Sequence, residues 1–401
     1  CASQDFCLKK TKEIIDLIKL YTNSPLVLGG VGISIAPLSA LQYCDVDFGI
    51  WGEGEHAFPL LIKAFAEGRD YEKIPGLLWK DKNSYRLNPA SYLNLQEATF
   101  SRRDTVENLR YFREGGMVGF ETKRGCDQAC RYCADPLAKG IRVRVRSPED
   151  VARELKGLAA KGISCFHTCD SEFNVPHDHA LEVCQRIVRK KLGDKITWYT
   201  YASPSGFSTE LAHWMKKAGC VGIDFGVDSG SELMLKNLGR NHTVENIREV
   251  ATICHHYDFA FMFDLLLGGP GETRETVHET IDLMKEANPS RVGISLGIRI
   301  YAGTYFGKTL RKAINLSGGG FFGNMSAGML RPLFYLSPAL GKDVQEFVRG
   351  LIAGDDRFLF GGTENIDENY NYNENTKLIQ AIKKGFRGAF WDILRRVEEG
   401  E

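Results

Sequence analysis

The segment that decides the fold is residues 117–133, which read MVGFETKRGCDQACRYC. Residues 118–122 have the alternation of a buried strand, and three cysteines follow this strand within eight residues. Cys126, Cys130 and Cys133 therefore occupy the loop after a strand. In parallel α/β folds the carboxyl ends of the strands carry the active site. This position favours a chemical role for the three thiols over a chance clustering of buried cysteines.

A regular alternation of strands and helices begins at this segment. Five further strands are predicted, at residues 163–168, 196–201, 221–225, 259–266 and 292–298. Ser147 before Pro148 is a helix-capping hydroxyl, and Thr243 opens another helix. Strands that alternate with helices of about ten to fifteen residues indicate βαβ units and a parallel sheet. Six units are fewer than the eight of a closed barrel, so we predict an α/β fold with a partial (β/α)6 TIM-like barrel.

The composition of the 401-residue chain is typical of a soluble globular protein, with 43% hydrophobic and 25% charged residues. The 51 basic and 51 acidic residues balance, which gives no support for nucleic acid as the main partner. The longest apolar run, residues 259–267, is interrupted by Asp264. A membrane helix needs roughly 18 to 20 apolar residues. We therefore expect a cytoplasmic protein that binds neither a membrane nor nucleic acid.

The chain contains eleven cysteines. A secreted disulfide framework fits poorly, because the number is odd and no signal-peptide pattern is visible. Structural zinc usually takes four ligands, and no fourth Cys or His lies close to the triplet in sequence. A cubane iron–sulfur cluster has four irons and is commonly held by four cysteines. Three cysteines would leave one iron open to bind and reduce another molecule.

The C-x3-C-x2-C spacing, with the aromatic Tyr132 before the last cysteine, resembles the signature of the radical S-adenosylmethionine (SAM) superfamily. The resemblance implies that Cys126, Cys130 and Cys133 hold a [4Fe–4S] cluster whose open iron binds the amino and carboxylate groups of SAM. Tyr132 is then a SAM-binding residue. The resemblance also implies reductive cleavage of SAM to a 5′-deoxyadenosyl radical. An electron donor such as flavodoxin or ferredoxin is the implied partner.

Polar motifs after two later strands are similar to SAM-contacting segments of the same superfamily. The segment after the second strand contains Asp170 and Glu172, and the resemblance assigns this acidic motif to the methionyl ammonium group. The segment after the fourth strand resembles the ribose-contacting motif. It contains Asp228, where the superfamily more often has glutamate, followed by Ser229. The resemblance assigns Arg240 to the methionyl carboxylate.

Two turns complete the resemblance. Residues 268–273 read GGPGET and are similar to the turn after the fifth strand, for which we expect a structural role. Residues 297–304 read GIRIYAGT and resemble the R-x-Y-P-G-T motif that closes the core. Ala302 stands where the motif usually has proline. Arg299 of this motif is an implied SAM contact.

The segment before the barrel resembles a second module. Residues 26–63 are similar to the second half of the cobalamin-binding domain that often precedes a radical SAM core. One short strand ends at Gly29-Gly30, and a second, at residues 48–51, leads into Gly-Glu-Gly-Glu. A glycine turn lets the nucleotide tail of cobalamin approach the backbone, so Gly29 and Gly30 are implied contacts. We expect the first half of this doubly wound domain to be missing before Cys1. A degenerate domain that keeps the fold without cobalamin is the alternative.

These observations predict four segments along the chain. They are a truncated cobalamin-binding-like domain at 1–85, a linker at 86–115, a radical SAM core at 116–315 and a mainly helical segment at 316–401. In the last segment we expect helices at 340–352 and 376–397, separated by an Asn/Tyr-rich loop at 365–375. Its polar and aromatic residues are expected to cover the open side of the barrel and shape specificity. They are Tyr335, Asn369, Tyr370, Tyr372, Phe390 and Trp391.

The predicted function is a radical SAM enzyme, with cobalamin-dependent methyl transfer to an unactivated carbon as the favoured reaction. The predicted substrate is a small molecule or a peptide. One alternative is a cobalamin-independent radical SAM enzyme, of methylthiotransferase-like or cyclase type. A methylthiotransferase would carry three further leading cysteines and a basic C-terminal module, and neither is visible. The other alternative is a non-catalytic zinc-binding protein.

Overall fold

The structure is a computed structural model that describes residues 3–68, 70–82, 84–97, 102–310, 320–323, 333–361 and 375–401, with side chains from Cys7 onward. The chain divides into two units. The smaller comprises residues 1–97, 125–142 and 298–336, and the larger comprises residues 98–124, 143–297 and 337–401. Both units are made of residues that are discontinuous in sequence, whereas the four predicted segments are continuous. The predicted segment boundaries therefore stay predictions.

The elements are numbered in chain order. The strands are β1 (Val27–Leu28), β2 (Phe48–Ile50), β3 (Leu77–Asp81), β4 (Ser84–Leu87), β5 (Val118–Phe120), β6 (Lys123–Arg124), β7 (Arg144–Val145), β8 (Cys165–Thr168), β9 (Thr197–Ala202), β10 (Cys220–Asp228), β11 (Ala260–Leu267), β12 (Arg291–Leu296), β13 (Ile298–Arg299), β14 (Phe321–Gly323), β15 (Leu333–Tyr335) and β16 (Phe358–Leu359). The helices are α1 (Ser3–Lys19), α2 (Val31–Ile35), α3 (Pro37–Cys44), α4 (Gly54–Glu67), α5 (Asn108–Arg113), α6 (Asp135–Lys139), α7 (Pro148–Ala160), α8 (His177–Arg189), α9 (Thr209–Lys217), α10 (Glu232–Leu238), α11 (Val244–His256), α12 (Arg274–Ala287), α13 (Val344–Ile352), α14 (Thr376–Lys383) and α15 (Phe390–Glu398).

A seven-stranded parallel sheet forms the centre of the larger unit. Its spatial order is β16-β12-β11-β10-β9-β8-β5, and every neighbouring pair is parallel. The six strands β5 and β8–β12 are the predicted ones and lie side by side in chain order, as βαβ units require. This confirms the predicted α/β fold with its TIM-like parallel sheet. The seventh strand, β16, was absent from the prediction, because two residues carry no periodic pattern.

Helix starts in this unit follow the signals read from the sequence. The Ser147 side chain accepts a hydrogen bond from the Asp150 backbone N–H at the start of α7. Thr243 forms a capping box with Asn246 at the start of α11. Each cap satisfies backbone donors that the first helical turn leaves without a partner. A short polar residue directly before an amphipathic segment therefore predicts the starts of α7 and α11 correctly.

The two faces of the parallel sheet differ in chemistry. One face carries buried aromatic residues such as Trp198, whose indole N–H donates to the Ala218 carbonyl at the end of α9, 2.9 Å away. We call the opposite face the inner face and define it by Tyr199, Gly222, Asp224 and Met262, with the residues in register with them.

Helix α15 covers the lower end of the inner face. Its Trp391 is 2% exposed and lies 6.2 Å from the Tyr199 ring, centroid to centroid. The Tyr199 hydroxyl donates to the Asp392 carboxylate over 2.7 Å. Trp391 therefore packs on the inner face within this unit, and its predicted role in covering the open side of the barrel stays a prediction.

The predicted single helix at 376–397 is wrong, because the chain forms α14 and α15 instead. Gly385, with φ of 102°, and Gly388, with φ of 138°, take up backbone conformations between them that end a helix. Residues 362–374, which include Asn369, Tyr370 and Tyr372, lie outside the described residues.

The smaller unit contains a four-stranded sheet with the order β1-β2-β3-β4. Strands β1 and β2 are parallel, and β3 and β4 continue the sheet as an antiparallel hairpin. This hairpin spans residues 77–87 and extends the leading sheet. Leu61, Leu77 and Trp79 are buried beneath this sheet. A second, antiparallel sheet has the order β13-β15-β14. Among the described residues, no helix is long and apolar enough to cross a membrane.

The GGPGET turn after β11 is held by a buried carboxylate. Glu272 is fully buried and accepts hydrogen bonds from the backbone N–H groups of Gly268 and Gly269. The Ser337 hydroxyl donates to the Glu272 carbonyl over 2.7 Å, and Thr273 caps α12. This is the structural role expected for the turn. Burial raises the pKa of Glu272 to about 7.

Replacing Phe225 by alanine should strongly destabilise the larger unit. Phe225 is fully buried, with its ring centroid 5.1 Å from Phe207 and 6.0 Å from Phe263. Loss of a buried phenylalanine costs about 3–5 kcal/mol, so the thermal midpoint should fall by several degrees. Leu233→Ala is the control, because Leu233 is 53% exposed. Equal midpoints for the two variants, measured by circular dichroism, would contradict this packing.

Glu272→Gln should flatten the pH dependence of stability. The pKa of Glu272 is raised in the folded state, so the folded protein binds a proton that the unfolded chain releases between the ordinary carboxyl pKa and about 7. Stability contributed by this group is therefore lost as pH rises through that window. Glutamine keeps an acceptor and does not ionise. The drop in thermal midpoint from pH 5 to pH 7.5 should shrink in E272Q and persist in the exposed control E279Q; an unchanged drop in E272Q would refute the assignment.

Candidate active site

The cysteine loop belongs to the smaller unit and begins at a turn that only glycine permits. Gly125 has φ of +88°, and a Cβ atom there would lie 2.0 Å from the Arg142 carbonyl oxygen. The Cys126 backbone N–H donates to the Gly140 carbonyl over 3.1 Å, and the Cys133 N–H donates to the Cys130 carbonyl over 3.2 Å. These bonds fold residues 125–142 into one closed loop that carries all three thiols.

The three thiols are all half-buried. Burial raises the pKa of Cys133 to about 12, and the nearby thiols of Cys130 and Cys126 add to the rise. The three side chains are therefore within electrostatic reach of one another. The described part of the chain contains no group of three or more His, Cys, Asp or Glu side chains already arranged to hold a metal ion. The donor set fits an iron–sulfur cluster in chemistry and spacing.

Residues 303–306, at and just after the end of the GIRIYAGT segment, pack against the cysteine loop within the smaller unit. The Phe306 backbone N–H donates to the Arg131 carbonyl over 3.0 Å, and the Arg131 guanidinium lies 5.1 Å from the Tyr305 ring centroid. A Cβ atom at Gly303 would lie 2.7 Å from Leu137. Two motifs about 170 residues apart in the chain, each predicted separately, are thus brought together. Tyr132 lies between these anchored residues and is half-buried.

Arg299 is a buried cation without a matching anion among the described residues. Its side chain lies over the Tyr301 ring, 4.7 Å from the centroid, and the residue is 9% exposed. Neither Nε nor Nη1 has a hydrogen-bond partner there. Burial of an unpaired charge is costly, and it lowers the pKa of Arg299. An anionic ligand group would relieve this cost.

Asp170 holds the end of β5 in the larger unit. Its carboxylate accepts the Thr122 N–H over 2.9 Å, the Thr122 hydroxyl over 2.5 Å and the Lys123 N–H over 3.2 Å. Asp170 is 3% exposed. Both carboxylate oxygens of Asp170 are therefore occupied. This geometry supports a role for Asp170 in positioning Thr122 and Lys123, which precede the cysteine loop in sequence. The predicted contact with SAM stays a prediction.

Glu172, Asp228 and Arg240 form a charged network in the larger unit. Arg240 Nη2 lies 3.5 Å from Glu172 Oε1, and Arg240 Nε lies 3.3 Å from Asp228 Oδ2. Arg240 also donates to the Gly226 carbonyl over 2.5 Å. Asp228 has φ of 64°, a left-handed conformation that costs energy outside glycine and is frequent at functional sites. The structure thus brings together three residues that were predicted from separate motifs.

Ser229 is placed differently from its predicted neighbours. It is fully buried, and its hydroxyl lies 3.0 Å from the Thr280 hydroxyl and accepts the Ser231 N–H over 3.2 Å. These contacts tie the end of β10 to α12. The geometry supports a structural role for Ser229, and its predicted ribose contact stays a prediction.

The Gly29-Gly30 turn in the smaller unit leaves open space beside the backbone. Gly30 has φ of +94°, and no atom lies within 4 Å of a Cβ built at Gly29 or Gly30. Ser34, which sequence reasoning missed, links this turn to the Gly-Glu-Gly-Glu loop. It donates to the Gly30 carbonyl over 3.1 Å and accepts the Gly52 N–H over 2.9 Å. An exposed, glycine-lined turn of this kind can receive a large cofactor at its backbone.

Comparison with known proteins agrees with these features. Residues 120–296 match the Radical SAM superfamily. A tryptophan 2-C-methyltransferase from Streptomyces laurentii is 31% identical over 352 residues, which cover 72% of this chain and 59% of the relative. An uncharacterised methyltransferase from Pyrococcus horikoshii is 29% identical over 266 residues, which cover 65% of this chain and 58% of the relative. The chain spans less than two thirds of the length of these relatives.

Solved structures give a similar picture. The radical SAM methyltransferase TsrM from Kitasatospora setae, with tryptophan and a SAM analogue bound, has a TM-score of 0.89 and 28% identity, covering 98% of this chain and 83% of that one. The cobalamin-dependent SAM radical enzyme OxsB has a TM-score of 0.69 at 19% identity, covering 82% of this chain and 54% of that one, which indicates the shared fold. Since the matched region also carries the C-x3-C-x2-C loop and the acidic and ribose-type motifs that follow it, the chain contains a radical S-adenosylmethionine domain at residues 120–296.

Proposed function

We propose that this protein is a cobalamin-dependent radical SAM methyltransferase that acts on an unactivated carbon of a small molecule. The observation that carries the proposal is the likeness to TsrM over 98% of the chain. One TsrM structure contains cobalamin and a [4Fe–4S] cluster, with a TM-score of 0.88 to this chain. Another contains tryptophan and a SAM analogue. The 31% identity to a tryptophan 2-C-methyltransferase supports the same class of reaction.

Cys126, Cys130 and Cys133 are the proposed ligands of the cluster. Three thiolates from one loop leave one iron of a four-iron cluster without a protein ligand. Bound there, the cluster supplies electrons and a binding position for SAM, while cobalamin supplies a methyl carrier. The contribution of the protein is to fix the loop, through Gly125 and through the bond from Phe306 to the Arg131 carbonyl. Tyr132 is proposed to contact SAM beside the last cysteine.

Glu172, Asp228 and Arg240 are proposed to bind SAM. Two carboxylates offer acceptors for an ammonium group and for ribose hydroxyls, and the guanidinium offers donors for a carboxylate. The three charges satisfy one another in the network described above. Bound SAM would therefore replace some of these ion pairs with its own contacts. Before SAM binds, the ion pairs compensate the buried charges. Asp170 and Ser229 are proposed to position the same segments.

Arg299, Gly29 and Gly30 receive separate assignments. Arg299 is proposed to contact an anionic group of SAM, because its buried guanidinium has two nitrogens without partners among the described residues. Gly29 and Gly30 are proposed to contact cobalamin, supported by the open space beside them. We further propose an electron donor such as flavodoxin or ferredoxin, action in the cytoplasm and no nucleic-acid partner, in keeping with the balanced charge of the chain. The four predicted segments remain our proposal for domain boundaries.

Cys126→Ala should abolish assembly of the cluster. After anaerobic reconstitution with iron and sulfide, the wild-type chain should hold about four irons per chain, and C126A should lose most of them together with the visible absorbance. Cys7→Ala is the matched control, because Cys7 is exposed on α1. Stoichiometric zinc in anaerobically purified wild-type protein, with no iron incorporated, would instead support a zinc-binding protein.

The reaction class is tested by product analysis of the reconstituted protein. With SAM carrying a labelled methyl group, a reductant and added cobalamin, we expect S-adenosylhomocysteine and label on cobalamin. Omitting cobalamin should remove S-adenosylhomocysteine. Formation of 5′-deoxyadenosine at the same rate with and without cobalamin, and no S-adenosylhomocysteine, would identify a cobalamin-independent radical enzyme.

A further inference from the structure

Two aspartates lie next to each other on the inner face of the parallel sheet. Asp264 on β11 is in register with Gly226 on β10, two residues beyond Asp224 on the same face. The carboxyl groups of Asp224 and Asp264 hydrogen-bond to one another. We call these two residues the acid pair. Neither residue belongs to the motifs that the superfamily resemblance identified.

The acid pair shares a proton. Two carboxylates at hydrogen-bond distance repel each other strongly, so one of them keeps its proton. Burial raises the pKa of both carboxyls, and the raised pKa of Asp264 is about 7. The pair therefore keeps at least one proton near neutral pH.

The acid pair has no cation opposite it among the described residues. Asp224 is 6% exposed, and its Oδ1 atom has no hydrogen-bond partner there. Arg240 pairs with Glu172 and Asp228. Arg291, whose strand position is in register with Met262, is paired with Glu398 of α15. A buried carboxylate oxygen without a donor is costly, and a ligand that brings a positive donor would remove that cost.

The acid pair is accessible beside Tyr201. Glycine stands at the two positions that face Asp264 in register, Gly226 on β10 and Gly293 on β12. A Cβ atom at Gly293 would lie 2.3 Å from Asp264 Oδ1, so the carboxylate itself occupies the space that a side chain there would need. Asp264 is half-buried, and Tyr201, which is in register with Asp224, is 46% exposed, so a ligand can reach the pair from the side of Tyr201.

Layers of different chemistry lie along the strands on this face. Below the acid pair, Tyr199 and Trp391 form an apolar floor. Above it lies the network of Asp228, Arg240 and Glu172. Beside it, Tyr201 is in register with Asp224, and the His167 ring is 5.0 Å from the Tyr201 ring. Burial lowers the pKa of His167, which stays neutral near pH 7.

We propose that the acid pair is a subsite for a cationic amino group of the substrate, with the apolar part of the substrate against Tyr199 and Trp391. The inference rests on the proposed function, since it names the substrate class of the same enzyme. An ammonium group would donate to both carboxylates and would replace the shared proton. Binding an amine would therefore release at least one proton at a pH below the raised pKa of the pair.

The test is calorimetric titration of the reconstituted, SAM-bound protein with tryptamine, phenethylamine and butylamine. L-Tryptophan and indole-3-propionate, which lacks the amine, complete the set of probes. Titrations at about pH 6.5 in two buffers of different ionisation enthalpy give the number of protons released. We expect at least one amine to bind with release of at least one proton, and indole-3-propionate to bind at least tenfold more weakly. No binding of any amine at about 10 mM would overturn the inference.

Asp224→Asn separates a ligand role from a structural one. The variant should weaken amine binding at least tenfold and abolish proton release, while its thermal midpoint stays equal to that of the wild type or rises. Asp264→Asn should behave in the same way, and Asp282→Asn, on an exposed position of α12, is the matched control. Unchanged amine binding in D224N would overturn the inference. Iron content and SAM binding, measured on the same samples, report on the proposed function independently of the amine result.

Discussion

The carboxylate of Asp170 is the contact on which the ends of the first two strands of the parallel sheet depend. It stands after β8 and accepts hydrogen bonds from Thr122 and Lys123 after β5. A buried carboxylate with several backbone donors is rigid, because moving any partner leaves a charged oxygen unsatisfied. The ends of two neighbouring strands are thereby locked to each other. Thr122 and Lys123, which precede the cysteine loop in sequence, are thus held within the larger unit.

The inner face shows how one sheet can combine stability with chemistry. The opposite face is filled by aromatic residues such as Trp198, Phe225 and Phe263, all fully buried. That packing supplies the apolar burial that holds the strands together. The inner face can then carry carboxylates, a histidine and glycines, which stabilise a sheet poorly. Because the opposite face provides most of the apolar burial, the sheet tolerates Asp224 and Asp264 on adjacent strands of the inner face.

Much of the fold could be predicted because the strands of a parallel sheet are short apolar runs between capped helices. The six core strands, the Ser147 cap and the Thr243 cap follow from local pattern alone. The break between α14 and α15 was missed, because an amphipathic period continues across Gly385 and Gly388. In the candidate site, the three residues of the charged network could be predicted, because each lies in a recognisable sequence motif. The roles of Asp170 and Ser229 depend on partners that no local pattern reveals, whereas Asp264 did leave a signal, as the one charge within an apolar strand.

The packing of α15 against Tyr199 on the inner face has a consequence for how the chain folds. The hydrogen bond from Tyr199 to Asp392 joins residues 193 positions apart. Contacts of such long sequence separation form late, since a long loop must close before they contribute. During synthesis the six core strands emerge before α15. The apolar surface around Tyr199 and Met262 therefore stays exposed until α15 has been synthesised. This interval, more than any step in forming the sheet itself, is where we expect the nascent chain to need protection from aggregation.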